Sequence, residues 1–372
     1  MPFHSADPSR RVLVAMSGGV DSSVAAALLA AEGCDCAGVT LKLFRDGEDN
    51  AGGRAAPPRE RSCCSLSDTE DARAVAHRLG IPFYVFNFTE RFERQVMDRF
   101  AAGYLAGETP NPCIDCNRFI KFSALLERAS ALDYGLISTG HYVRAEFDEG
   151  GGRWLLRKGL DTDKDQSYVL YAMTQEQLAR TRFPLGELTK PQVREIAAAH
   201  GFWNARKRDS QDICFVPGGD YGAFLERWTG RALPPGDFLT PDGCVLGRHK
   251  GTARYTLGQR KGLGLALPRP GYVCAICPAE NTVTVGDEPL LFSRELEARD
   301  INLIACARLE RPVRCRAKVR YRQAEQPAEA EQTGPDTLRL RFDQPQRAIT
   351  PGQAVVLYDG DTVIGGGTIG SA

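Results

Sequence analysis

Nowhere does the sequence run to about 18 consecutive apolar residues, the length a helix needs to cross a bilayer, so no membrane-spanning helix is expected. The opening stretch, Met1 to Arg11, is polar and has no long apolar centre, so it does not read as a secretory signal and a cytoplasmic location is expected. Net charge is also missing, because 47 Lys and Arg balance 47 Asp and Glu. A basic total is the usual footprint of a nucleic-acid binder. Any RNA surface here therefore has to be a local patch. No internal repeat of fixed period is present.

What is there suits a globular enzyme. The 372 residues, 42% hydrophobic and 25% charged, are enough for two or three domains with full cores. Twelve cysteines outside a secretory context are expected to be mainly reduced, and they become candidates for packing, metal binding or catalysis. The first half alternates strand and helix signals. Strands are expected at Arg11 to Ala15, Ala37 to Phe44, Phe83 to Phe88 and Leu136 to Thr139. Helices are expected at Ser22 to Glu32, Ser67 to Gly80, Glu90 to Ala106 and Ser123 to Ala131. That alternation predicts a doubly wound parallel sheet with helices on both faces, whose ligands bind at the carboxyl ends of strands. The polar Asp46 to Arg61 reads as an insertion. Beyond Arg208 come a short helix, Tyr221 to Thr229, and Pro- and Gly-rich segments. From about Tyr272 onward there are short strands typical of a small barrel. The expected boundaries are 1–210 for the α/β domain, 211–280 for a small central domain and 281–372 for a C-terminal β-barrel.

Ser17-Gly-Gly-Val-Asp-Ser-Ser23 joins the first strand to the first helix. Its glycines allow a sharp turn and close approach of a ligand. The N–H groups opening the helix favour an anion. Asp21 would repel phosphate unless a divalent cation bridged them, so Mg²⁺ is expected there. The Gly-Lys-Ser/Thr ending of a Walker loop is missing. The segment instead resembles the PP-loop, Ser-Gly-Gly-x-Asp-Ser, of the ATP pyrophosphatases, which split ATP between its α and β phosphates and adenylate a substrate oxygen.

The cysteines choose among substrates. In Thr109-Pro-Asn-Pro-Cys-Ile-Asp-Cys-Asn-Arg-Phe-Ile-Lys-Phe122 the prolines restrict the backbone around Cys113 and Cys116, which reads as a rigid extended loop presenting a thiol. Arg118 and Lys121 are placed to stabilise a thiolate. A distant thiol, Cys214, stands in Asp209-Ser-Gln-Asp-Ile-Cys-Phe215. Two such thiols can divide sulfur chemistry, one carrying a persulfide and the other attacking it, with a transient disulfide left to be reduced.

These motifs, with Thr139-Gly-His-Tyr142, Lys164-Asp-Gln-Ser-Tyr168 and Thr256-Leu-Gly-Gln-Arg-Lys-Gly-Leu263, occur in the order seen in the bacterial tRNA 2-thiouridylases, the MnmA-type family. The resemblance runs from about residue 11 to residue 370. It implies ATP and Mg²⁺ as cofactors, and as partners tRNA and a persulfide-carrying sulfur-donor protein. It implies Cys116 as the first catalytic cysteine and Cys214 as the persulfide carrier. Ala15, Met16, Ser17, Gly18, Gly19, Val20, Asp21, Ser22, Leu41 and Gly140 would bind ATP. Asn111, Pro112 and Cys113 would lie against the target base. His141, Lys164, Asp165, Gln166, Arg320, Tyr321 and Gln353 would contact tRNA. Some family members carry Asp at the position of Cys113. Asp115 is a neighbour at a different position, so no acid–base role passes to it.

Alternatives stay open at this point. Cys113, Cys116 and Cys214 offer three thiolates to an iron–sulfur cluster. Cys274 and Cys277 form a second C-x-x-C within a strand signal, read as packing rather than zinc binding. Cys34, Cys36, Cys244, Cys306 and Cys315 also read as packing. Arg314, Arg316, Lys318, Arg320 and Arg322 alternate with apolar residues, so on a strand they would form one basic face able to follow RNA phosphates. Arg206, Lys207 and Arg208 would add phosphate contacts beside Cys214. A PP-loop enzyme acting on a small molecule and a noncatalytic RNA-binding protein are the remaining readings.

Overall fold

The computed structural model describes residues 11–44, 66–207 and 213–371, and these divide into two compact units. The insertion at Asp46 to Arg61, Cys63, Cys64, Arg208 and Asp209 lie outside the described residues.

The first unit comprises Met1–Val96, Cys113–Gly218 and Asp361–Val363. Its strands are β1 (Arg11–Ala15), β2 (Asp35–Lys42), β3 (Phe83–Asn87), β4 (Leu136–Ser138), the hairpin β5 (Val143–Asp148) and β6 (Arg153–Lys158), and the two-residue β7 (Thr181–Arg182). Five of them form a parallel sheet in the order β3-β2-β1-β4-β7. In β1 the successive residues Val12, Leu13 and Val14 are all buried, as a strand covered on both faces requires. The helix Val20–Ala31 packs on the sheet through Val20, Val24 and a run of alanines, and it touches the helix Lys190–Ala199. Small side chains allow that close approach.

The strand order reverses between β1 and β4. β1 pairs with β2 on one side, Arg11 opposite Asp35, and with β4 on the other, Val12 opposite Leu136. Chain leaving the carboxyl ends of β1 and β4 therefore diverges and opens a crevice at the switch point. Met16–Gly19 leaves β1 there, and Thr139–Tyr142 leaves β4.

The second unit comprises Met97–Pro112, Gly219–Gly360 and Ile364–Ala372. The helix Tyr221–Thr229 forms at its expected position. The Asp220 side chain accepts from the Ala223 N–H at 2.9 Å at its start, and Gly230 (φ 65°) ends it. A four-stranded sheet follows in the order β10-β11-β8-β9, from β8 (Gly236–Leu239), β9 (Val245–His249), β10 (Tyr272–Cys277) and β11 (Thr282–Gly286). Phe238, Tyr255, Leu263, Val273, Val283 and Val285 form its core. The last strands are β12 (Phe292–Leu303), β13 (Val313–Lys318), β14 (Gln326–Gly334), β15 (Thr337–Arg347), β16 (Ala354–Asp359) and β17 (Thr362–Ser371). They run β12-β15-β14-β13-β16-β17, and β17 pairs back onto β12, so the six strands close into a barrel. Alternate residues such as Cys315 and Ala317, or Leu338, Leu340 and Phe342, fill its interior.

Candidate active site

The glycine loop is held in shape before any ligand arrives. Ser22 Oγ accepts from the Ser17 N–H and donates to the Gly19 carbonyl, both at 3.1 Å, while Ser23 Oγ donates to the same carbonyl at 3.0 Å. Gly18 has φ 73°, a conformation that L side chains rarely take. A Cβ there would collide with the Asp68 backbone. Asn204 Nδ2 donates to the Gly18 carbonyl at 3.1 Å and to Ser23 Oγ at 2.9 Å. Lys207 Nζ reaches the Gly18 carbonyl at 3.4 Å and pairs with Asp68 and Asp71 at 2.5 and 2.6 Å. Burial alone would lower the Lys207 pKa, but the two carboxylates outweigh it and raise the ammonium above its ordinary value. Thr40 at the end of β2 donates to the Met16 carbonyl at 2.7 Å, and Leu41 beside it is buried.

The β4 loop closes on the glycine loop from the other side of the crevice. A Cβ on Gly140 would lie 2.8 Å from the Asp21 carbonyl carbon and from the Ser22 nitrogen, so only glycine fits without displacing them. The Tyr142 hydroxyl donates to Asp21 Oδ1 at 2.7 Å, and Lys190 Nζ stands 2.8 Å from both Asp21 oxygens. The cation on the expected magnesium ligand is thus a lysine of the chain itself, and in this arrangement Asp21 does not fit as a magnesium site. His141 is buried, with Nδ1 2.8 Å from Thr139 Oγ1. Burial, reinforced by the Lys121 ammonium, lowers its pKa well below that of an ordinary imidazole and keeps it neutral.

Cys113 and Cys116 do not sit on an extended loop. The segment Pro112–Asp115 is already helical, and Cys116–Ala124 continues it as a π-helical stretch into Leu125–Ser130. The helix expected from Ser123 therefore starts 11 residues earlier, at Pro112, because proline is well suited to a first helical position, where its missing N–H costs nothing. Cys113 is exposed and Cys116 buried. This helix is fastened to the β4 loop and to the turn Ser167–Leu170. Phe122 packs against His141 with ring centroids 5.7 Å apart, and Asn117 Nδ2 donates to the Val169 carbonyl at 3.1 Å. Cys214 is half-buried. Its neighbour Phe215 meets Phe92 edge-on at 5.8 Å, and the helix Thr89–Phe92 that carries Phe92 also packs on the Cys116–Ala124 helix. One short helix thus borders both thiol-bearing segments. Among the described residues no three His, Cys, Asp or Glu side chains converge as a metal-holding group.

Several expected RNA contacts are engaged within the protein. Asp165 accepts from the Gly159 and Ser167 N–H groups and from the Ser167 hydroxyl, and Gln166 Oε1 accepts from the Tyr142 N–H at 3.0 Å. They brace the loop that carries Tyr142, and Lys164 beside them is partly exposed. In the second unit Gln353 donates to the Thr109 carbonyl at 2.5 Å, just ahead of Asn111 and Pro112. The basic stripe does not run as one strand face, because β13 ends at Lys318 and the chain turns. Arg320 points inward, its Nη2 donating to the Leu257 and Ala348 carbonyls and to Thr350 Oγ1. Arg314 is paired with Asp343 at 2.7 Å, and Glu325 lies 3.7 Å from Arg316 and 3.9 Å from Lys318. Tyr321 stays exposed. Burial pushes the Cys36 thiol up to about 12 and Cys315 up to about 11, so both are inert packing groups. Cys244, expected to pack, is instead exposed beside Asp242 in the β8–β9 turn.

Reading along the chain missed Lys190 and Asn204, which reach Asp21 and Gly18 across 169 and 186 positions. One signal was available for Lys190: a cation at the first position of a helix opposes the macrodipole and needs another reason to be there.

Residues 10–218 match the family described as a tRNA methyl transferase HUP domain, 222–287 the tRNA methyl transferase PRC-barrel domain, and 293–369 the aminomethyltransferase beta-barrel domain. The tRNA-specific 2-thiouridylase MnmA of Moorella thermoacetica is 54% identical over 96% of this chain and 99% of its own length. Its counterpart in Symbiobacterium thermophilum is 51% identical over 97% of this chain and 92% of its own. That of Clostridioides difficile is 47% identical over 97% and 98%.

Proposed function

The chain belongs to the family of the tRNA-specific 2-thiouridylases, and on that premise we propose that it uses ATP to replace the C2 oxygen of the wobble uridine in a tRNA anticodon with sulfur. The observation that supports this most is the crevice between β1 and β4. A preformed anion loop faces it on one side, and on the other the β4 loop, packed on Asp21 and Ser22, meets the helix of Cys116 through His141 and Phe122.

ATP lies with its phosphates against the backbone of Ser17 to Ser22, where N–H groups at a helix start meet anionic oxygens. The C2 oxygen of an extruded uridine attacks the α-phosphorus and pyrophosphate leaves. The base is then adenylated and carries a good leaving group. Sulfur delivered by a persulfide-carrying protein resides on Cys214. The Cys116 thiolate attacks the inner sulfur of that persulfide, the two cysteines become a disulfide, and hydrosulfide is released. Hydrosulfide adds at C2 and AMP departs; an external thiol then reduces the disulfide. No step is assigned to a cluster or to magnesium on Asp21. A cytoplasmic setting, where thiols stay reduced, suits this chemistry.

Incubation with ATP, unmodified tRNA and a persulfide donor, followed by mass spectrometry of the nucleosides, tests the reading. Wild type should yield 2-thiouridine, and Cys116→Ser and Cys214→Ser should not. Thiouridine made equally by both variants overturns the sulfur route. A methylated nucleoside in its place, distinct in mass, would mean that the domain descriptions name the chemistry of this chain.

A further inference from the structure

Asp21 stands in the first turn of the helix that opens at the glycine loop, where an uncompensated carboxylate would repel phosphate. Its charge is answered from within the fold. Lys190 Nζ is 2.8 Å from each carboxylate oxygen, and the Tyr142 hydroxyl is 2.7 Å from one of them. Lys190 is only 7% exposed. Helix stability does not ask for a lysine there, since the first position of Lys190–Ala199 lies at the positive end of the macrodipole. Burying an ammonium is costly unless it is paired. Lys190 pairs with Asp21, and the placement is accounted for by what it does to that carboxylate. Further bonds fix the backbone that carries it: the Lys190 N–H donates to Asp161 at 2.8 Å, and Thr189 and Gln192 form a capping box around the helix start.

We propose that Lys190 is the resident counter-cation and positioning residue of the phosphate loop: it neutralises and orients Asp21, so that the loop takes the pyrophosphate portion of a nucleotide without a metal ion bound to Asp21. The inference rests on the nucleotide reading of the loop and deepens it. It gives Tyr142 the same task from the β4 side, and it explains how a Ser-Gly-Gly-Val-Asp-Ser sequence without the Walker lysine is relieved of the negative charge of Asp21 at its phosphate end, leaving the N–H groups of the helix start to face the anion. The compensating ammonium comes from a helix far along the chain.

The experiment is calorimetric titration of inorganic pyrophosphate and of ATP, each with magnesium or with EDTA. The proteins are wild type, Asp21→Asn, Lys190→Met and the double variant, with thermal melting to confirm folding. Wild type is expected to bind pyrophosphate in EDTA. Lys190→Met should weaken binding roughly 100- to 1,000-fold, the scale of one uncompensated charge about 6 to 4 Å away in a medium of effective dielectric near 20. Asp21→Asn should keep binding in EDTA, and the double variant should recover most of what Lys190→Met loses, which a merely structural lysine would not produce. Wild-type affinity in Lys190→Met overturns the proposal, as does a double variant as weak as Lys190→Met. Should Lys190→Met fail to fold, Asp21→Asn decides. Wild-type binding that needs magnesium and disappears in Asp21→Asn makes Asp21 a metal ligand, overturning the proposal and leaving the nucleotide reading intact. A wild type that binds neither ATP nor pyrophosphate under any condition overturns that reading and the proposal with it.

Discussion

Two adjacent glycines of the loop should differ sharply in their response to the same substitution. Gly18 has φ 73°, and a methyl there meets the backbone of Asp68, whose Cα and carbonyl carbon would lie 2.8 Å away. An L-residue held in the left-handed region costs roughly 1–2 kcal/mol, and overpacking against atoms that cannot swing aside costs about 1–3 kcal/mol more. Gly18→Ala should therefore lose roughly 2–5 kcal/mol, which at about 2–4 °C per kcal/mol for a domain of this size is a fall in melting temperature of roughly 5–20 °C. Gly19 has φ −83°, and its methyl would meet only Ser17 Oγ, at an ordinary 3.5 Å. Losing unfolded-state freedom stabilises Gly19→Ala by about 0.4–1 kcal/mol, and alanine's poorer helix-capping offsets a similar amount. Its melting temperature should stay near wild type. The space in front of Gly19 is where a phosphate would approach the backbone, so Gly19→Ala should bind pyrophosphate more weakly while folding normally. Thermal melting and pyrophosphate titration on both variants check this. A Gly18→Ala protein that melts like wild type, or a Gly19→Ala protein destabilised as much as Gly18→Ala, refutes the reasoning.

Arg320→Ala removes a charged donor from two carbonyls and a hydroxyl, so it should destabilise the protein by about 2–3 kcal/mol. The slope of tRNA affinity against salt should not change, whereas loss of a phosphate contact would flatten it by about 0.7–0.9. Because the buried His141 pKa lies well below its unfolded value near 6.5, its neutral form supports the fold fully above that value. As pH falls from there toward the folded pKa, the unfolded chain takes up a proton that the native state refuses, and stability declines. Denaturant melts of His141→Gln should show a shallower acid limb between these two pKa values, and an unchanged limb counts against the assignment. Alkylation with iodoacetamide, read by peptide mass spectrometry, should label Cys113 before Cys214 and Cys116 last. Labelling of Cys116 first would contradict its burial.

The sheet and its switch point were legible because they are local. Val-Leu-Val of β1 is an apolar run, and Ser17 to Ser23 carries its turn chemistry in seven letters. The same holds for Tyr221–Thr229, where an N-capping Asp220 and a closing Gly230 frame the helix. Legibility failed where one local signal had two meanings. In the sequence Pro112 signals a stiffened loop, but proline equally opens a helix, and only the surrounding fold decides. The alternation from Arg314 to Arg322 continues in the letters after β13 has ended, so Arg320 looked like a surface cation while its partners at 257, 348 and 350 lay far away in sequence. The cradle of Asp21 was hidden for the same reason, since Lys190, Tyr142 and Gly140 come from other elements and meet it only through the topology of β1 and β4.

The distribution of the thiols limits the order of events on the proposed route. Cys116 is buried on a π-helical stretch, a geometry in which an inserted residue widens the turn and which recurs at functional sites. A protein carrying a persulfide cannot reach it directly, so the first acceptor has to be a thiol with surface, which Cys214 and Cys113 both have. Exposure alone favours Cys113, and its position three residues ahead of Cys116 on one helix makes the two near neighbours. Releasing sulfur from a persulfide, however, requires the attacking thiol and the carrier to become a disulfide. Two cysteines on consecutive positions of one helical face would tie the helix only to itself. A Cys116–Cys214 pair joins two segments that already share the helix Thr89–Phe92 as a common wall, through Phe92 and Phe215 on one side and the Cys116 helix on the other. The helix of Cys116 is held by Phe122 against His141 of the loop that closes on the phosphate site, and by Asn117 against the Val169 carbonyl. On the proposed route Cys214 is therefore the thiol expected to meet a donor first and later to present its sulfur beside an activated base.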